Sequence, residues 1–200
     1  MQQKPALTSV KIHTIIKERW SPRAFDIDRL VTHDELLALL EAARWAPSCF
    51  NDQPWRFVIC NKATDEAIWQ AGLDVLVEKN RQWAKNAPLL ILAVAMENFN
   101  HNGQLNRWSM YDTGAATANL SLQATALGLV VHQMGGFDAE KALAVFDLPV
   151  NCQPMAMLAV GYQAVIEVLD EDFKEAELAS RSRKALSERF YSGRWGKGVE

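Results

Sequence analysis

The sequence predicts a mixed α/β fold of the α+β class, in which helices cover a central sheet, for one domain over residues 1–200. Two observations predict it. Short apolar runs of strand length alternate along the chain with longer stretches of helical spacing, and such alternation is typical of helices packed on a sheet. Apolar residues make up 49% of the 200 residues, which is enough to bury a core without disulfides or a metal.

The first two elements are predicted to be helices. Residues 8–18 are amphipathic, although their apolar spacing is irregular. The second helix begins after Thr32, because the run Thr-His-Asp-Glu fits a capping box in which the threonine oxygen accepts a backbone amide and Glu35 reaches back. We expect this helix to end near Ala46, since Pro47 disfavours the helical conformation at the residue before it.

Four strands and three helical stretches follow. The apolar runs predicted to be strands, buried on both faces, are 56–60, 89–95, 129–134 and 154–162. The helical stretches between them are about 64–85, 108–127 and 138–146. Residues 108–127 are small or apolar nearly all round, which predicts a central helix or one at a subunit interface.

The composition changes after Gly161, where charged and polar residues replace the apolar runs. Residues from about 165 to 200 hold less apolar material than a core needs. We therefore expect a C-terminal arm that is anchored elsewhere by Phe190, Tyr191 and Trp195.

Composition and missing motifs narrow the function classes. The formal net charge of -3 and the lack of a large basic field argue against nucleic acid as a partner. The apolar run 87–96 is too short to cross a bilayer and the N-terminus lacks a signal-peptide core, so neither membrane insertion nor export is expected. Cys49, Cys60 and Cys152 form no CxxC pair and are expected to be reduced thiols in the cytoplasm.

The sequence also lacks the motifs of common enzyme classes. It contains no GxGxxG, no Walker lysine, no GxSxG and no HExxH, and its four histidines lie far apart. Hydrolase and metalloenzyme readings are therefore unsupported, and we expect no metal site.

Two pairs of arginines near the chain ends are candidates for anion binding. Arg19 and Arg23 lie in "RWSPR", with the Ser21 hydroxyl between them, and Arg181 and Arg183 lie in "RSRK". Guanidinium groups match phosphate oxygens bidentately. The alternative is that each arginine lies on a solvated face, so a phosphate site requires the two pairs to converge.

Two loops are candidates for contact with a planar ring. Gly135 and Gly136 follow a predicted strand, where glycines allow a backbone to approach a ligand closely, although an ordinary turn needs glycine equally. Asn51 and Gln53 carry amides that can read the edge of a pyrimidine-like ring, or they belong to an ordinary polar loop. Cys49 has no adjacent base in the sequence and is not expected to be a nucleophile.

Five segments in order along the chain together resemble the nitroreductase family of flavin-dependent oxidoreductases. "RWSPRAFD" resembles its N-terminal basic signature, and "APSCFNDQPWRF" resembles its polar loop. "WSMYDTGAATANLSLQATALGL" is similar to its central helix, "HQMGGFD" to the loop that follows, and "RSRKALSE" to its C-terminal basic tail.

The resemblance implies a three-layer fold with a mainly antiparallel sheet, and a homodimer that binds FMN at the subunit interface while each C-terminal arm embraces the partner. The cofactor-binding residues that it implies are Arg19, Trp20, Ser21, Arg23, Pro47, Ser48, Cys49, Asn51, Gln53, Asn80, Met134, Gly135, Gly136, Arg181 and Arg183. Arginines from both ends would hold the phosphate, with Arg23 near the pyrimidine end of the ring. The loop around Asn51 would line the flavin from the other subunit. No catalytic side chain is implied, because flavin N5 carries the hydride.

The activity implied is the oxidation of NADH or NADPH and the reduction of an electrophilic acceptor, such as a nitroaromatic or a quinone, by ping-pong kinetics. Trp20, Cys49, Trp83 and Ala185 depart from common family patterns, and Cys49 and Trp83 are expected to shape the acceptor pocket. Three alternatives stay open: the same scaffold with flavin destruction, reductive dehalogenation or enal and aldehyde reduction; a non-catalytic flavin-binding protein; and a structural dimer without a ligand.

Overall fold

A computed structural model describes residues 2–199 and contains a four-stranded sheet in the order β1-β2-β4-β3. The strands are β1 Trp55–Asn61, β2 Leu89–Met96, β3 Val130–Met134 and β4 Cys152–Gly161. All three neighbouring pairs are antiparallel. Each predicted strand is present within two residues of its expected bounds, so the prediction of a mixed fold with a mainly antiparallel sheet is confirmed.

Seven α-helices and three short 3-10 helices surround the sheet in the described part of the chain. The α-helices are α1 Thr14–Glu18, α2 His33–Arg44, α3 Glu66–Asp74, α4 Glu78–Ala84, α5 Ser109–Ala126, α6 Ala139–Val145 and α7 Glu171–Leu178. The 3-10 helices are Cys49–Asn51, Ile166–Val168 and Leu186–Glu188.

Three helices differ from their predictions for local reasons. The first begins only at Thr14, because the His13 ring accepts the Ile15 amide and caps the helix there. The predicted stretch 64–85 is two helices, α3 and α4, interrupted where Leu76 pairs with Phe137. Helix α7 was not predicted, because most of its residues are charged and it buries only Phe173 and Glu177.

The capping box at Thr32 is confirmed. The Glu35 amide donates to the threonine Oγ1 over 3.3 Å, and the Thr32 amide donates to the glutamate carboxylate over 2.8 Å. The helix that follows ends at Arg44, two residues before Pro47 would have forced it to end.

The sheet separates two apolar cores, because alternate side chains of a strand point to opposite faces. On β2, Leu90 and Leu92 pack with Trp69 and Trp83 on one face. Leu89 and Ile91 pack on the other face with α2 and α5, around Leu39 and Leu120. The molecule therefore has three layers.

Burial on both faces holds for β2 and for residues 157–161 of β4, but it is incomplete in the first half of β4 and in the edge strands. Residues 89–95 of β2 are all buried, whereas β1 and β3 contain partly exposed positions. A register shift between Ala93 and Val94 lies opposite Pro154, where the missing proline N–H is tolerated.

Helix α5 and the C-terminal arm leave apolar groups uncovered in the single chain. Helix α5 buries one face against α2 and the sheet, whereas Tyr111 is 79% exposed and Met110 is 48% exposed. In the arm, Phe190 and Trp195 are also exposed, and the Trp195 ring lies 4.8 Å from that of Tyr191. Within the chain, the three aromatic residues of the arm therefore do not anchor it in a core.

No helix of the described chain combines the length and the apolar character that a membrane span requires.

We expect Leu158→Ala to lower the free energy of unfolding by about 2–5 kcal/mol, the range for a leucine removed from a packed core. Leu158 is fully buried on central strand β4, opposite Ile91. Leu105→Ala is the matched control, because Leu105 is 71% exposed and its loss should change the free energy by no more than about 0.5 kcal/mol. Chemical denaturation of both variants measures the difference, and equal losses would contradict this account of the core.

Candidate functional site

Three arginine side chains from the two ends of the chain line one cavity of about 590 Å³, which we call the arginine cavity. Arg19 follows α1, and Arg181 and Arg183 follow α7. Members of segments 6–16 and 182–186 supply the rest of the wall, and they are mostly apolar or small. Arg19 of the first predicted pair and both arginines of the second therefore converge, whereas Arg23 does not line this cavity.

Backbone pairing beside β4 brings the two ends together. The Asp26 amide donates to the Tyr162 carbonyl, and the Ala164 amide donates to the Ala24 carbonyl, each over 2.9 Å. The segment after α1 thus pairs with the chain that leaves the end of β4 and leads to α7.

Arg181 connects the C-terminal segment to the N-terminal part of the chain through two hydrogen bonds. Its Nη1 donates to the Lys4 carbonyl and, over 3.1 Å, to the Lys17 carbonyl at the end of α1. The Ala6 amide donates to the same Lys17 carbonyl over 2.8 Å. One guanidinium therefore ties the N-terminal segment and α1 to the chain beyond α7.

The arginine cavity concentrates positive charge from three guanidinium groups. None of its three arginines forms an ion pair with a carboxylate within residues 2–199. Burial, followed by the charges of Arg181 and Arg183, lowers the pKa of the Arg19 guanidinium, which stays protonated at neutral pH. Like charges held together in a partly buried place favour a bound anion.

Ser21 and Arg23 lie next to Arg19 on an ordered segment. Arg19 Nη1 donates to Ser21 Oγ over 3.3 Å. The Arg23 amide donates to both carboxylate oxygens of Glu177, each over 3.0 Å. Trp20 is half-buried under the Lys4 ammonium, which lies 4.7 Å from its ring centroid.

The loop 47–53 lies apart from the arginine cavity, whose wall contains none of its residues. Phe50, Asn51 and Gln53 adopt φ angles of 54°, 55° and 51°, a left-handed region that costs non-glycine residues about 1 kcal/mol or more each. Pro47 is exposed and Ser48 is half-buried. Strain of this kind persists where the surroundings fix the backbone, and it is frequent at functional sites.

Hydrogen bonds within and around the loop fix its shape. Ser48 Oγ accepts the Gln53 amide over 3.1 Å, and Gln53 Nε2 donates to the Asn51 carbonyl over 3.0 Å. The Cys49 amide donates over 3.0 Å to Asp112 on α5, whose side chain is 4% exposed. The loop is thus anchored to the central helix while the Asn51 side chain stays exposed.

Beside the loop is an open cavity of about 440 Å³ with aromatic and polar walls. Its lining residues are Phe50, Asn51, Asp52, Asn100 and His101. The Asp52 carboxylate accepts the Asn100 amide over 2.8 Å and so holds the far wall in place.

The end of β3 forms the third part of the candidate site. Met134 is buried, and the two glycines after it leave the sheet. Asn80 Nδ2 donates to the Gly136 carbonyl over 3.0 Å, and a Cβ on that glycine would lie only 2.7 Å from the same nitrogen. Gly135 faces open space, and neither glycine amide has a protein acceptor among residues 2–199. Asn80 thus lies next to these glycines.

His132 and Trp83 are core residues at this end of the sheet. Burial lowers the pKa of His132 to about 4, and its Nδ1 lies 3.0 Å from the Pro22 carbonyl, to which it donates. The Trp83 ring is 1% exposed and lies 4.6 Å from the histidine ring, so it lies in the core rather than at a surface.

The predicted residues thus form three groups in one chain: the arginine cavity with Ser21, the loop 47–53, and the end of β3 with Asn80. Sequence reasoning missed Asp112 and Glu177, the two buried carboxylates that hold the first two groups. The signal for Asp112 was a lone acid within an otherwise small and apolar helix, whereas Glu177 had no signal in its charged surroundings. The described residues contain no group of three or more side chains placed to hold a metal ion.

The chain is similar in sequence and in structure to known proteins. The model of the nitroreductase family matches residues 16–162. A Mycolicibacterium smegmatis protein described as an uncharacterized 15.4 kDa protein in the ask 5′ region is 35% identical over 134 residues, covering 67% of this chain and 88% of its own length. An oxygen-insensitive NADPH nitroreductase of Helicobacter acinonychis is 27% identical over 208 residues, covering 89% of this chain and 95% of its own.

A solved structure agrees over almost the whole chain. A crystal structure described as an oxidoreductase containing FMN has a TM-score of 0.90 and 30% sequence identity, covering 98% of this chain and 99% of that one.

We expect the burial of His132 to make the protein less stable in acid. Its pKa is about 4 in the folded chain against about 6.5 when unfolded, so its contribution is complete above pH 6.5 and is lost as the pH falls towards 4. Between about pH 7 and pH 5 the loss should be about 1–2 kcal/mol. His132→Asn should remove this part of the pH dependence, whereas His101→Asn, on an exposed side chain, should keep it.

Denaturant unfolding of the wild type and of both variants at the two pH values measures the effect. An unchanged pH dependence in His132→Asn would contradict the assignment of a buried neutral imidazole.

Proposed function

Because the chain belongs to the nitroreductase family, we propose that it is an FMN-dependent oxidoreductase that oxidises NADH or NADPH. The observation that carries the proposal is the arginine cavity, where Arg19, Arg181 and Arg183 gather without a carboxylate partner in the described chain. A phosphate monoester carries about -1.5 to -2 charges at neutral pH and offers acceptor oxygens that suit guanidinium donors. The residues present therefore fit the phosphate end of FMN.

The other two groups fit the remainder of the cofactor. Gly135 and Gly136 would offer main-chain N–H groups to the ring, since neither has a protein acceptor within residues 2–199. Arg23 would offer a positive charge at the pyrimidine end, because it forms no ion pair there. Met134 and Asn80 would support this wall from the core and from α4.

The separation of the loop 47–53 from the arginine cavity supports a homodimer. The loop would contribute Pro47, Ser48, Cys49, Asn51 and Gln53 to the site of the partner subunit, while the arginines of each chain hold its own FMN phosphate. The exposed face of α5 and the uncovered aromatic side chains of the C-terminal arm supply apolar surface for such an assembly.

Bound FMN would supply the redox chemistry, accepting hydride from the nicotinamide at N5 and then reducing an electrophilic acceptor, such as a nitroaromatic or a quinone, in a ping-pong scheme. The chain itself would bind the FMN and orient the nicotinamide and the acceptor next to it. Its buried His132 is neutral at pH 7 and donates to the Pro22 carbonyl, so we assign it no proton transfer. The open cavity between Phe50 and His101 would admit the acceptor next to the loop.

We also propose a cytoplasmic location, which accords with three free thiols at Cys49, Cys60 and Cys152.

We expect Arg183→Ala to weaken FMN binding by about 1–3 kcal/mol, the range for a charge-assisted hydrogen bond. Equilibrium titration of the apoprotein, followed by quenching of flavin fluorescence, measures the change. Arg44→Ala is the matched control, because Arg44 lies on the surface of α2 and pairs with Glu41. Unchanged FMN affinity in Arg183→Ala would remove this residue from the phosphate site, and a wild-type protein that binds no FMN would refute the proposed function.

We expect the FMN-loaded protein to oxidise NADH or NADPH when a quinone or a nitroaromatic is present, faster than free FMN at the same concentration. A ping-pong scheme predicts parallel lines in double-reciprocal plots against the two substrates. Flavin absorbance without turnover would indicate a non-catalytic binding protein instead. Loss of the flavin itself under oxygen, detected by product analysis, would indicate flavin destruction.

A further inference from the structure

Glu177 is a buried carboxylate that interacts electrostatically with the Lys4 ammonium but forms no direct salt bridge in the described chain. Its side chain lies in the last turn of α7 and the residue is 1% exposed. It forms no ion pair within the described residues. Burial disfavours a charged carboxylate, and the C-terminal end of a helix disfavours negative charge further. A group placed against both effects needs strong compensating contacts.

The compensation comes from the main chain of the segment that follows Arg19. The Arg23 amide donates to both carboxylate oxygens over 3.0 Å, and the Ala24 amide donates to Oε1 over 3.3 Å. Hydrogen bonds to a charged acceptor are among the stronger ones in proteins. The Arg23 guanidinium takes no part in them, so the carboxylate fixes the backbone of Arg23 without neutralising its side chain.

The main chain of Glu177 is held as well. Lys4 Nζ donates to the Glu177 carbonyl over 2.8 Å, and the Lys4 carbonyl accepts from Arg181 Nη1. One residue at the end of α7 therefore contacts both the N-terminal segment and the segment 23–24. Arg181 and Arg183 follow it by only four and six residues.

This placement bears directly on the arginine cavity. Arg19 precedes Arg23 and Ala24, whose amides bond to Glu177, by four and five residues. The other two arginines of the cavity follow Glu177 itself along the chain. Without these contacts, Arg181 and the backbone pairing of residues 24 and 26 with residues 164 and 162 would still join the two ends of the chain. The end of α7, however, would lose its hydrogen bonds to the Arg23 and Ala24 amides.

We propose that Glu177 is a positioning residue for the phosphate site, holding the Arg23 and Ala24 amides so that Arg181 and Arg183 stand opposite Arg19. This inference rests on the proposed function, since it takes the FMN phosphate as the anion. Glu177 touches no reacting atom and acts only through the three arginines.

The test compares FMN with riboflavin, which lacks the phosphate, on apoprotein variants titrated by flavin fluorescence. We expect Glu177→Ala to raise the Kd for FMN about tenfold, because a buried charge-assisted contact is lost, while the Kd for riboflavin changes less than about twofold. Glu177→Gln keeps the length and one acceptor oxygen, and it should restore part of the FMN affinity. Glu175→Ala on the exposed face of the same helix is the control and should leave both values unchanged.

A double-mutant cycle separates positioning from general loss of stability. If Glu177 acts through the arginines, Glu177→Ala added to Arg183→Ala should weaken FMN binding by less than about threefold further, because residues that act as a unit are not additive. Thermal unfolding of each variant shows whether it is folded. If Glu177→Ala does not fold, the same comparison is made with Glu177→Gln.

Equal losses for FMN and riboflavin, or full additivity with Arg183→Ala, would overturn the positioning role. Normal FMN binding by the Glu177 variants together with weakened binding by Arg183→Ala would overturn that role alone. A wild-type protein that binds neither flavin would overturn both the role and the proposed function.

Discussion

The gathering of Arg19, Arg181 and Arg183 in one cavity is the constraint around which the two ends of the chain are arranged. Within residues 2–199 these three guanidinium groups form no ion pair with a carboxylate and repel one another, so other contacts must hold the segments together. Those contacts are made by backbone and by neutral acceptors: pairing beside the end of β4, and carbonyls bonded to one arginine. Because none of these contacts neutralises the guanidinium charge, the proposed FMN phosphate would not have to displace a carboxylate of the described chain.

Buried carboxylates serve a consistent purpose in this molecule. Asp112 holds the Cys49 amide, Asp52 holds the Asn100 amide, and Glu177 holds the Arg23 and Ala24 amides. An ionised carboxylate only accepts hydrogen bonds, so it can immobilise a loop through N–H groups that would otherwise be unsatisfied. Loops fixed in this way keep their side chains available to a ligand. The Asn51 amide is accordingly exposed, and the Arg23 guanidinium forms no ion pair within residues 2–199.

Sequence reasoning predicted the parts of the structure that depend on local pattern or on chemical type. The strands were predictable because their apolar runs are continuous. The arginine pairs at both ends allowed either a shared anion site or solvated faces, and only the structure shows that three of these four arginines line one cavity. The boundary between α3 and α4 was not predictable, since it depends on Leu76 pairing with the distant Phe137. Helix α7 and Glu177 were missed for a related reason. In a charged segment, the sequence does not distinguish a buried glutamate from a solvent-exposed one. The structure at such positions depends on tertiary contacts, which produce no periodic pattern in the sequence.

The division of the candidate site has a thermodynamic consequence. In one chain the arginine cavity and the loop 47–53 are separate, and the left-handed residues of the loop hold Phe50 outward, where it is 79% exposed. If FMN bridges the cavity of one subunit and the loop of another, it binds only the assembled dimer well, and any ligand with that preference shifts the equilibrium towards the dimer. Linkage makes the effect reciprocal, so a dimer already formed binds FMN more tightly than two chains that must first meet. In such a dimer Asp112 and Glu177 would reduce the entropic cost of association, because each already orders its own part of the site within the single chain.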